Sequence, residues 1–426
     1  MTELHQLSAS VAAKKIQANE LKSEDLIRSC IERIREREPI TQAWVETNFD
    51  AAIERARYLD RSANLGPLHG IPFGAKDLFD THDFPTRLGS TIYENNRPSS
   101  DAVHIALMRQ AGGVLLGKTV TTEFATFKGG KTTNPHNPEY TPGGSSSGSA
   151  AAVADDMIPL ATGSQTAGSV IRPAAFCGVV GYKPTYGKVS LGGVKSLSPS
   201  LDTLGSFSRT VADAALCVAA MSGDHQLATI HKMKHKPRIA TCLTYDGELA
   251  STETITAIHH AALLAEDVFK TQVPAIELPT IFKDMSALQG RIMWSESARS
   301  FSFEQNNHSE HLSQQLKGLI KLGSAITYEQ YSNDLIVAEK ARALIDQLLT
   351  GSWDILIAPS AIGEPTKGLT QTGDPIFCRV WTLMGLPCIT LPLYKGPNHL
   401  PVGVQLVAAR GRDALLLSVA DALMSA

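Results

Sequence analysis

The amino-acid sequence predicts an α/β fold, because short apolar segments typical of buried strands alternate along the chain with segments of helical periodicity. The predicted strands comprise residues 112–117, 238–243 and 353–359. The predicted helices comprise residues 24–37, with Ser23 as N-cap, 210–221 and 413–424. The first sixty residues and the heterogeneous segment 280–345 are also expected to be mainly helical.

The composition is that of an ordinary globular chain. It has 426 residues, 43% hydrophobic and 19% charged, and a net charge of −3 from 39 Lys and Arg against 42 Asp and Glu. Disordered and collagen-like classes are excluded on this basis. Since a phosphate-binding surface normally makes a domain basic, we expect no direct contact with nucleic acid.

Targeting signals, membrane spans and metal motifs are not apparent in the sequence. The polar start, Met1 to His5, lacks the order of a secretory signal, and no apolar stretch reaches the roughly 18 residues needed to cross a bilayer. The six cysteines are scattered without a CxxC motif, which is typical of reduced thiols, and we therefore expect no zinc site. We therefore expect a cytoplasmic protein without a metal, a cofactor or a membrane partner. The His- and Lys-containing segment 223–237 is interpreted as a surface connection.

The most informative stretch lies between Thr141 and Ile171, where small residues form two loops around a helix-forming run at 150–154. Glycines allow backbone N–H groups to approach a ligand, and successive amides in such a loop can hold negative charge. Neither loop carries a phosphate-binding motif or a lysine, so an oxyanion fits better than a phosphate.

Acyl transfer to a serine would use such a loop, and Ser169 follows Thr166, Ala167 and Gly168 directly. None of the thirteen histidines stands out as its base. Lys76 ends the apolar segment 66–77, and a lysine that loses solvent has a lowered pKa and can act as a base. From spacing alone, a surface or ion-paired role for Lys76 stays open.

Several segments taken together resemble the amidase signature family. They are GPLHGIPFGAKD at 66–77, GGSSSGSAAAVA at 143–154, GSQTAGSVIRPAAFCGVVGYKPTYG at 163–187, SLDTLGSFSRTVADAA at 200–215, MGLPCITLPL at 384–393 and LPVGVQLVA at 400–408. The resemblance implies a single α/β/α domain over residues 1–426, with a central twisted mixed β-sheet surrounded by helices. Its expected parts are an N-terminal helical part at 1–60, a signature core at 66–215, a variable substrate-side region at 225–345, and a C-terminal part of the same sheet at 350–426.

The resemblance also implies a Ser-cisSer-Lys triad. The nucleophile falls on Ser169, the bridging serine in a cis peptide on Ser145, and the base on Lys76. The oxyanion would be held by the backbone amides of residues 166–169, namely Thr166, Ala167, Gly168 and Ser169. Asp77 follows the base and, on a strand, would point to the opposite face in a structural role.

The nucleophile loop departs from the common family pattern Asp-Thr-Gly-Gly-Ser-Ile-Arg. Gln165 replaces the aspartate and removes a charge, and Ala167 adds a methyl group that would be strained at positive φ. Arg172 comes one place later than usual, which puts a pairing with a group near Asp202 in doubt. These departures suggest a subgroup distinct from the glutaminase subunit of the tRNA-dependent amidotransferase.

The sequence therefore predicts an amidase that hydrolyses a small-molecule carboxamide to a carboxylate and ammonia or an amine. Alternatives are the glutaminase (A-type) subunit of a tRNA-dependent amidotransferase, a ureide or carbamate hydrolase of the same family, and a non-catalytic binding protein. A GxSxG elbow centred on Ser146 is disfavoured, because the proline-rich segment before it cannot be a central strand. Candidate substrate-binding residues are Phe124, Ala125, Trp294 and Trp381, and a homodimer stays open.

Overall fold

A computed structural model describes residues 3–233 and 235–426 of the chain. Within these residues, ten strands form one mixed sheet. The strands are β1 (Trp44–Thr47), β2 (Pro72–Lys76), β3 (Val114–Thr119), β4 (Leu160–Gln165), β5 (Val180–Lys183), β6 (Thr203–Ser208), β7 (Ile239–Thr241), β8 (Ile355–Pro359), β9 (Cys388–Lys395) and β10 (Pro401–Val407).

Helices surround this sheet. They are α1 (Ala9–Gln17), α2 (Ser23–Thr41), α3 (Phe49–Leu59), α4 (Val103–Gln110), α5 (Ser147–Ala154), α6 (Ile171–Cys177), α7 (Val211–Ser222), α8 (Thr252–Phe269), α9 (Met285–Ser300), α10 (Ser302–Asn307), α11 (Gln314–Ser324), α12 (Tyr328–Gly351), α13 (Ile376–Leu383) and α14 (Asp413–Met424). In the part of the chain that the structure describes, none of them is both long and apolar enough to cross a membrane.

The strand order across the sheet is β1-β3-β2-β4-β6-β5-β9-β10-β8-β7. Strand β2 pairs in parallel with both β3 and β4, and β6 and β5 continue the sheet in antiparallel pairing. Strands β8, β9 and β10 belong to the same sheet, so the C-terminal segment completes the core that the signature segments begin. The predicted α/β class and the single mixed sheet are therefore confirmed.

The parallel pairing of β2 with β4 brings the two halves of the site together. Because the carboxyl ends of parallel strands meet at one edge of a sheet, Lys76 at the end of β2 lies near Ser164 and Gln165 at the end of β4. Both strands are buried along their whole length. The loop that leaves β4 therefore starts beside the Lys76 side chain.

Most predicted elements are found within a few residues of their expected bounds, but one local expectation is wrong. Ser23 is not the N-cap of α2: it lies inside the helix, and the amides of Ser23 and Glu24 donate to the Asp60 carboxylate at 2.7 and 3.1 Å. The largely helical first sixty residues also contain strand β1, which pairs antiparallel with β3. In the segment 223–237, Lys234 lies outside the described residues, and Leu227 is buried while its neighbours are largely exposed.

Candidate active site

Lys76 and Ser145 form the centre of the candidate site. The Lys76 Nζ atom lies 2.8 Å from the Ser145 Oγ atom and 2.8 Å from the Ser164 Oγ atom. The Lys76 and Ser145 residues have no exposed surface. Burial lowers the pKa of Lys76 to about 7, against the smaller opposing effect of the nearby Asp202 carboxylate. A fraction of the amine is thus neutral near neutral pH, and its lone pair can accept the Ser145 hydroxyl proton.

Ser145 is held by its own backbone. The Gly144–Ser145 peptide bond is cis, as the resemblance implies. The Ser145 carbonyl accepts a hydrogen bond from the Thr122 amide at 3.1 Å, and the Gly144 carbonyl accepts one from the Arg172 guanidinium at 2.7 Å. The pairing of Arg172 with a group near Asp202 is left in doubt by the sequence, and in the structure the guanidinium donates to this carbonyl and to the Thr372 hydroxyl.

Ser169 lies in the turn between β4 and α6 and retains 9% of its surface exposed. Among the described residues, its hydroxyl makes no hydrogen bond with Ser145 or Lys76. The structure therefore brings Lys76 and Ser145 into direct contact and places Ser169 on the loop that leaves the same sheet edge, four residues after β4. Contacts of catalytic groups are often long before a substrate binds.

The loop at 166–169 carries amides that point at no protein acceptor. Within the described residues, the N–H groups of Ala167, Gly168 and Ser169 have no hydrogen-bond partner. The carbonyl groups of the same loop, in contrast, are bound. The Thr166 carbonyl accepts from Gln289 Nε2 at 2.9 Å, the Ala167 carbonyl from Thr382 Oγ1 at 2.8 Å, and the Gly168 carbonyl from the Arg172 amide at 2.9 Å. Three free amides beside a serine are the donors that an oxyanion needs.

Ala167 and Gln165, two of the residues that depart from the family pattern, fit their surroundings without backbone strain or a buried charge. Ala167 is not among the described residues with positive φ, so its methyl group causes no backbone strain there. Gln165 Oε1 accepts the amides of Val170 and Ile171 at 2.9 and 3.0 Å, which secures the start of α6 without a charge. Gly168 packs against α13, where an added Cβ would come within 2.8 Å of Pro375.

Asp202 supports the loop through the hydrogen bonds that its carboxylate accepts. Its buried carboxylate accepts hydrogen bonds from the Thr166 hydroxyl at 2.5 Å, from the Ser196 hydroxyl at 2.7 Å and from two backbone amides. Burial raises the pKa of Asp202, and these hydrogen bonds oppose the rise. The carboxylate thus fixes the Thr166 side chain at the base of the loop.

Asp77, for which a structural role is expected, forms a buried ion pair with Lys118. Its carboxylate lies 3.2 Å from Lys118 Nζ, and both side chains are fully buried. The amide of Arg87 donates to the same carboxylate at 3.2 Å. Burial raises the pKa of Asp77, and the Lys118 charge opposes that rise.

The candidate substrate residues occupy different environments. Phe124 and Ala125 both adopt left-handed backbone conformations, with φ of 46° and 59°, in the loop that starts at Thr122 beside Ser145. Such strained pairs are typical of binding sites. Trp381 on α13 is fully buried, whereas Trp294 on α9 is partly exposed. Of the four, Phe124 and Ala125 lie closest in sequence to Thr122, whose amide donates to the Ser145 carbonyl.

Ser146 does not have the surroundings of a nucleophile elbow. It precedes α5, and no strand lies between Asn134 and Ser145 in the described structure. The Ser146 Oγ atom lies 3.4 Å from both the amide and the carbonyl oxygen of Ser164, so its contacts are with the β4 backbone.

Sequence reasoning missed the residues that hold the site from a distance. Ser164 carried a weak signal, since it lies on the strand before the nucleophile loop. Gln289 and Thr382 carried none, because they come from α9 and α13, over a hundred residues away along the chain.

The mixed sheet, the buried Lys76–Ser145 pair and the free amides of the loop at 166–169 are compatible with a hydrolase of C–N bonds. A family model described as Amidase matches residues 25–417, and the chain belongs to the amidase signature family. Proteins of this family hydrolyse C–N bonds, which fixes the coarse activity class.

Named relatives are similar over nearly the whole chain. The A-type subunit of the glutamyl-tRNA(Gln) amidotransferase from Endomicrobium trichonymphae is 30% identical, over 99% of this chain and 97% of the relative. The protein of the same name from Oleidesulfovibrio alaskensis is 32% identical, over 99% and 98% of the two chains. The structure of 6-aminohexanoate cyclic dimer hydrolase complexed with substrate superimposes with a TM-score of 0.88 at 25% identity, covering 100% of this chain and 97% of that chain.

Proposed function

We propose that this protein hydrolyses a carboxamide through an acyl-enzyme on Ser169, with Ser145 as proton relay and Lys76 as base. The observation that carries the proposal is the buried Lys76 Nζ atom, 2.8 Å from the Ser145 hydroxyl and with a pKa lowered to about 7 by burial. The free amides of Ala167, Gly168 and Ser169 supply the complementary oxyanion donors.

The proposed reaction proceeds in two halves. The Ser169 Oγ atom attacks the amide carbon while its proton passes to Ser145, and the Ser145 proton passes to Lys76. The loop amides stabilise the tetrahedral oxyanion, where one donor of this kind is worth about 2.7–4 kcal/mol. The C–N bond then breaks as Ser145 returns a proton to the leaving nitrogen, and water hydrolyses the acyl-enzyme by the same relay.

The physiological setting has two candidates. The names of the curated relatives favour an A-type subunit that releases ammonia from glutamine for a tRNA-dependent amidotransferase, and they support this setting better than a free-standing enzyme. A free-standing amidase or ureide hydrolase is supported by the fold similarity to 6-aminohexanoate cyclic dimer hydrolase and by the unusual Gln165 and Ala167. The same triad serves both settings.

A substrate panel tests the chemistry. Purified protein would be assayed for ammonia or amine release from L-glutamine, simple primary amides, aryl amides and a ureide. We expect turnover of at least one carboxamide, lost in Ser169→Ala and Lys76→Ala and retained in the matched serine variant Ser146→Ala. Full activity in Ser169→Ala would overturn the proposed mechanism.

A partner assay separates the two settings. A tagged chain would be purified from its native cells, and any stoichiometric companion identified. Glutamine hydrolysis that requires a copurifying companion would support the amidotransferase setting. Turnover of a small amide by the isolated protein, without glutamine hydrolysis in either preparation, would support the free-standing enzyme.

A further inference from the structure

One carbonyl of the nucleophile loop is held by a side-chain pair that the common family motif does not provide. Gln165 Nε2 donates to Thr382 Oγ1 at 2.9 Å, and Thr382 Oγ1 donates to the Ala167 carbonyl at 2.8 Å. All three residues are buried, with Gln165 and Thr382 each 1% exposed. We propose that Thr382, aligned by Gln165, is a positioning residue that aims the Gly168 amide at the oxyanion.

The geometry of the peptide unit supplies the reason. In a trans peptide the C=O and the following N–H point in opposite directions across one plane. A hydrogen bond to the Ala167 carbonyl therefore fixes the direction of the Gly168 N–H, which has no protein acceptor among the described residues. An oxyanion donor is effective only when it is held in place before the charge forms.

Gln165 has two roles that an aspartate at this place cannot combine. Its Oε1 accepts the amides of Val170 and Ile171, as a carboxylate could, but its Nε2 also donates to Thr382. Because Thr382 Oγ1 accepts this N–H, the one hydroxyl proton of Thr382 remains available for donation. It is shared between the carbonyl oxygens of Ala167 and Cys378, which lie at 2.8 and 2.9 Å. A carboxylate here would compete for the same proton and release the Ala167 carbonyl.

A fluorophosphonate probe tests the role without knowledge of the substrate. The Ser169 Oγ–P bond forms as the P–F bond breaks and fluoride leaves, and the serine proton passes through Ser145 to Lys76. The phosphoryl oxygen takes the place of the oxyanion, so the labelling rate reports the loop amides. The rate of Ser169 labelling would be measured by mass spectrometry for the wild type, Thr382→Val, Thr382→Ser and Gln165→Glu.

We expect labelling to slow at least about tenfold in Thr382→Val. This is less than the roughly 10²–10³-fold rate loss that follows removal of an oxyanion donor, because the Gly168 amide is misdirected and not removed. Labelling should recover in Thr382→Ser. Gln165→Glu keeps the acceptor for α6 and should slow labelling in the same way, so it carries the test even where Thr382→Val fails to fold. Thr390→Val is the matched control, because this buried threonine contacts Ser360 and not the loop. It should lose stability without a matching loss of labelling.

Two outcomes would overturn the positioning role. The first is a labelling rate within twofold of the wild-type rate in folded Thr382→Val or Gln165→Glu. The second is a loss of labelling rate in Thr390→Val equal to that in Thr382→Val, when the two variants have the same melting temperature. The inference rests on the proposed function. A wild-type protein labelled at a residue other than Ser169 would overturn that function, and the positioning role with it.

Discussion

The Nζ atom of Lys76 lies 2.8 Å from the Oγ atom of Ser145, and neither residue is exposed to solvent. A lysine so placed has lost the hydration that keeps its amine protonated, so burial lowers its pKa to about 7. The Asp202 carboxylate opposes that lowering, but its effect is the smaller of the two. In the proposed mechanism, Lys76 therefore serves as a base near neutral pH.

The pH dependence of activity should follow Lys76. Because the neutral amine is the active form and its pKa is about 7, we expect kcat/KM to rise with pH through about 7 and to level off above it. The profile would be measured from about pH 5.5 to 9 with the best substrate of the panel. In Lys76→Met the residual activity should lack this limb, and an unchanged limb would assign the titration to another group.

Asp202→Asn should move that limb to lower pH. The Asp202 charge raises the pKa of Lys76, so its neutralisation lowers that pKa further. The asparagine carbonyl oxygen can still accept the Thr166 hydroxyl. The NH2 group of the asparagine, in contrast, faces the Ser196 hydroxyl, which donates to the carboxylate in the wild type. A limb that stays in place, or moves to higher pH, in a variant with near-native melting temperature would contradict the proposed influence.

The depressed pKa of Lys76 also affects stability. The unfolded chain binds a proton at this lysine up to about pH 10.5, whereas the folded chain releases it near 7. The contribution of Lys76 to the free energy of unfolding is therefore least favourable below pH 7 and improves as pH rises from 7 toward 10.5. Denaturant unfolding should show the wild type gaining stability relative to Lys76→Met between about pH 7 and 9.5. A constant difference across that range would contradict the shift.

Lys118→Met should damage the fold and spare the chemistry. The substitution leaves the buried Asp77 carboxylate without its ion-pair partner at 3.2 Å, and breaking such a pair typically costs about 3–5 kcal/mol. Urea unfolding would measure the loss, and kcat would be measured below the lowered melting temperature. Loss of kcat in a folded variant with wild-type stability would place Asp77 and Lys118 in the reaction instead.

The sequence is most informative where chemistry is encoded locally. The apolar run before Lys76 leaves a surface or ion-paired role open, and only the resemblance to the amidase signature family assigns this lysine as the base. The small residues before Ser169, in contrast, predict a loop of free amides, and this prediction depends on a few neighbouring residues. The alternation of strands and helices likewise predicts the α/β class. In each case the property follows from a short window of the chain.

Features that depend on distant residues escape prediction. Asp60 caps α2 from 37 residues away, in place of the expected Ser23. Thr382 reaches the Ala167 carbonyl across 215 residues, and Gln289 reaches Thr166 across 123. Such contacts arise only when distant parts of the chain pack together, so no local pattern predicts them.

Residue mapping of the covalent adduct tests the central claim most directly. The wild-type protein would be treated with a fluorophosphonate at about pH 8, digested and sequenced by mass spectrometry, with Lys76→Met treated in parallel. We expect a single adduct on the Ser169 hydroxyl, formed far more slowly in Lys76→Met. An adduct on Ser145 or Ser146, or equal rates in the two proteins, would contradict the assignment of Ser169 as a nucleophile activated by Lys76.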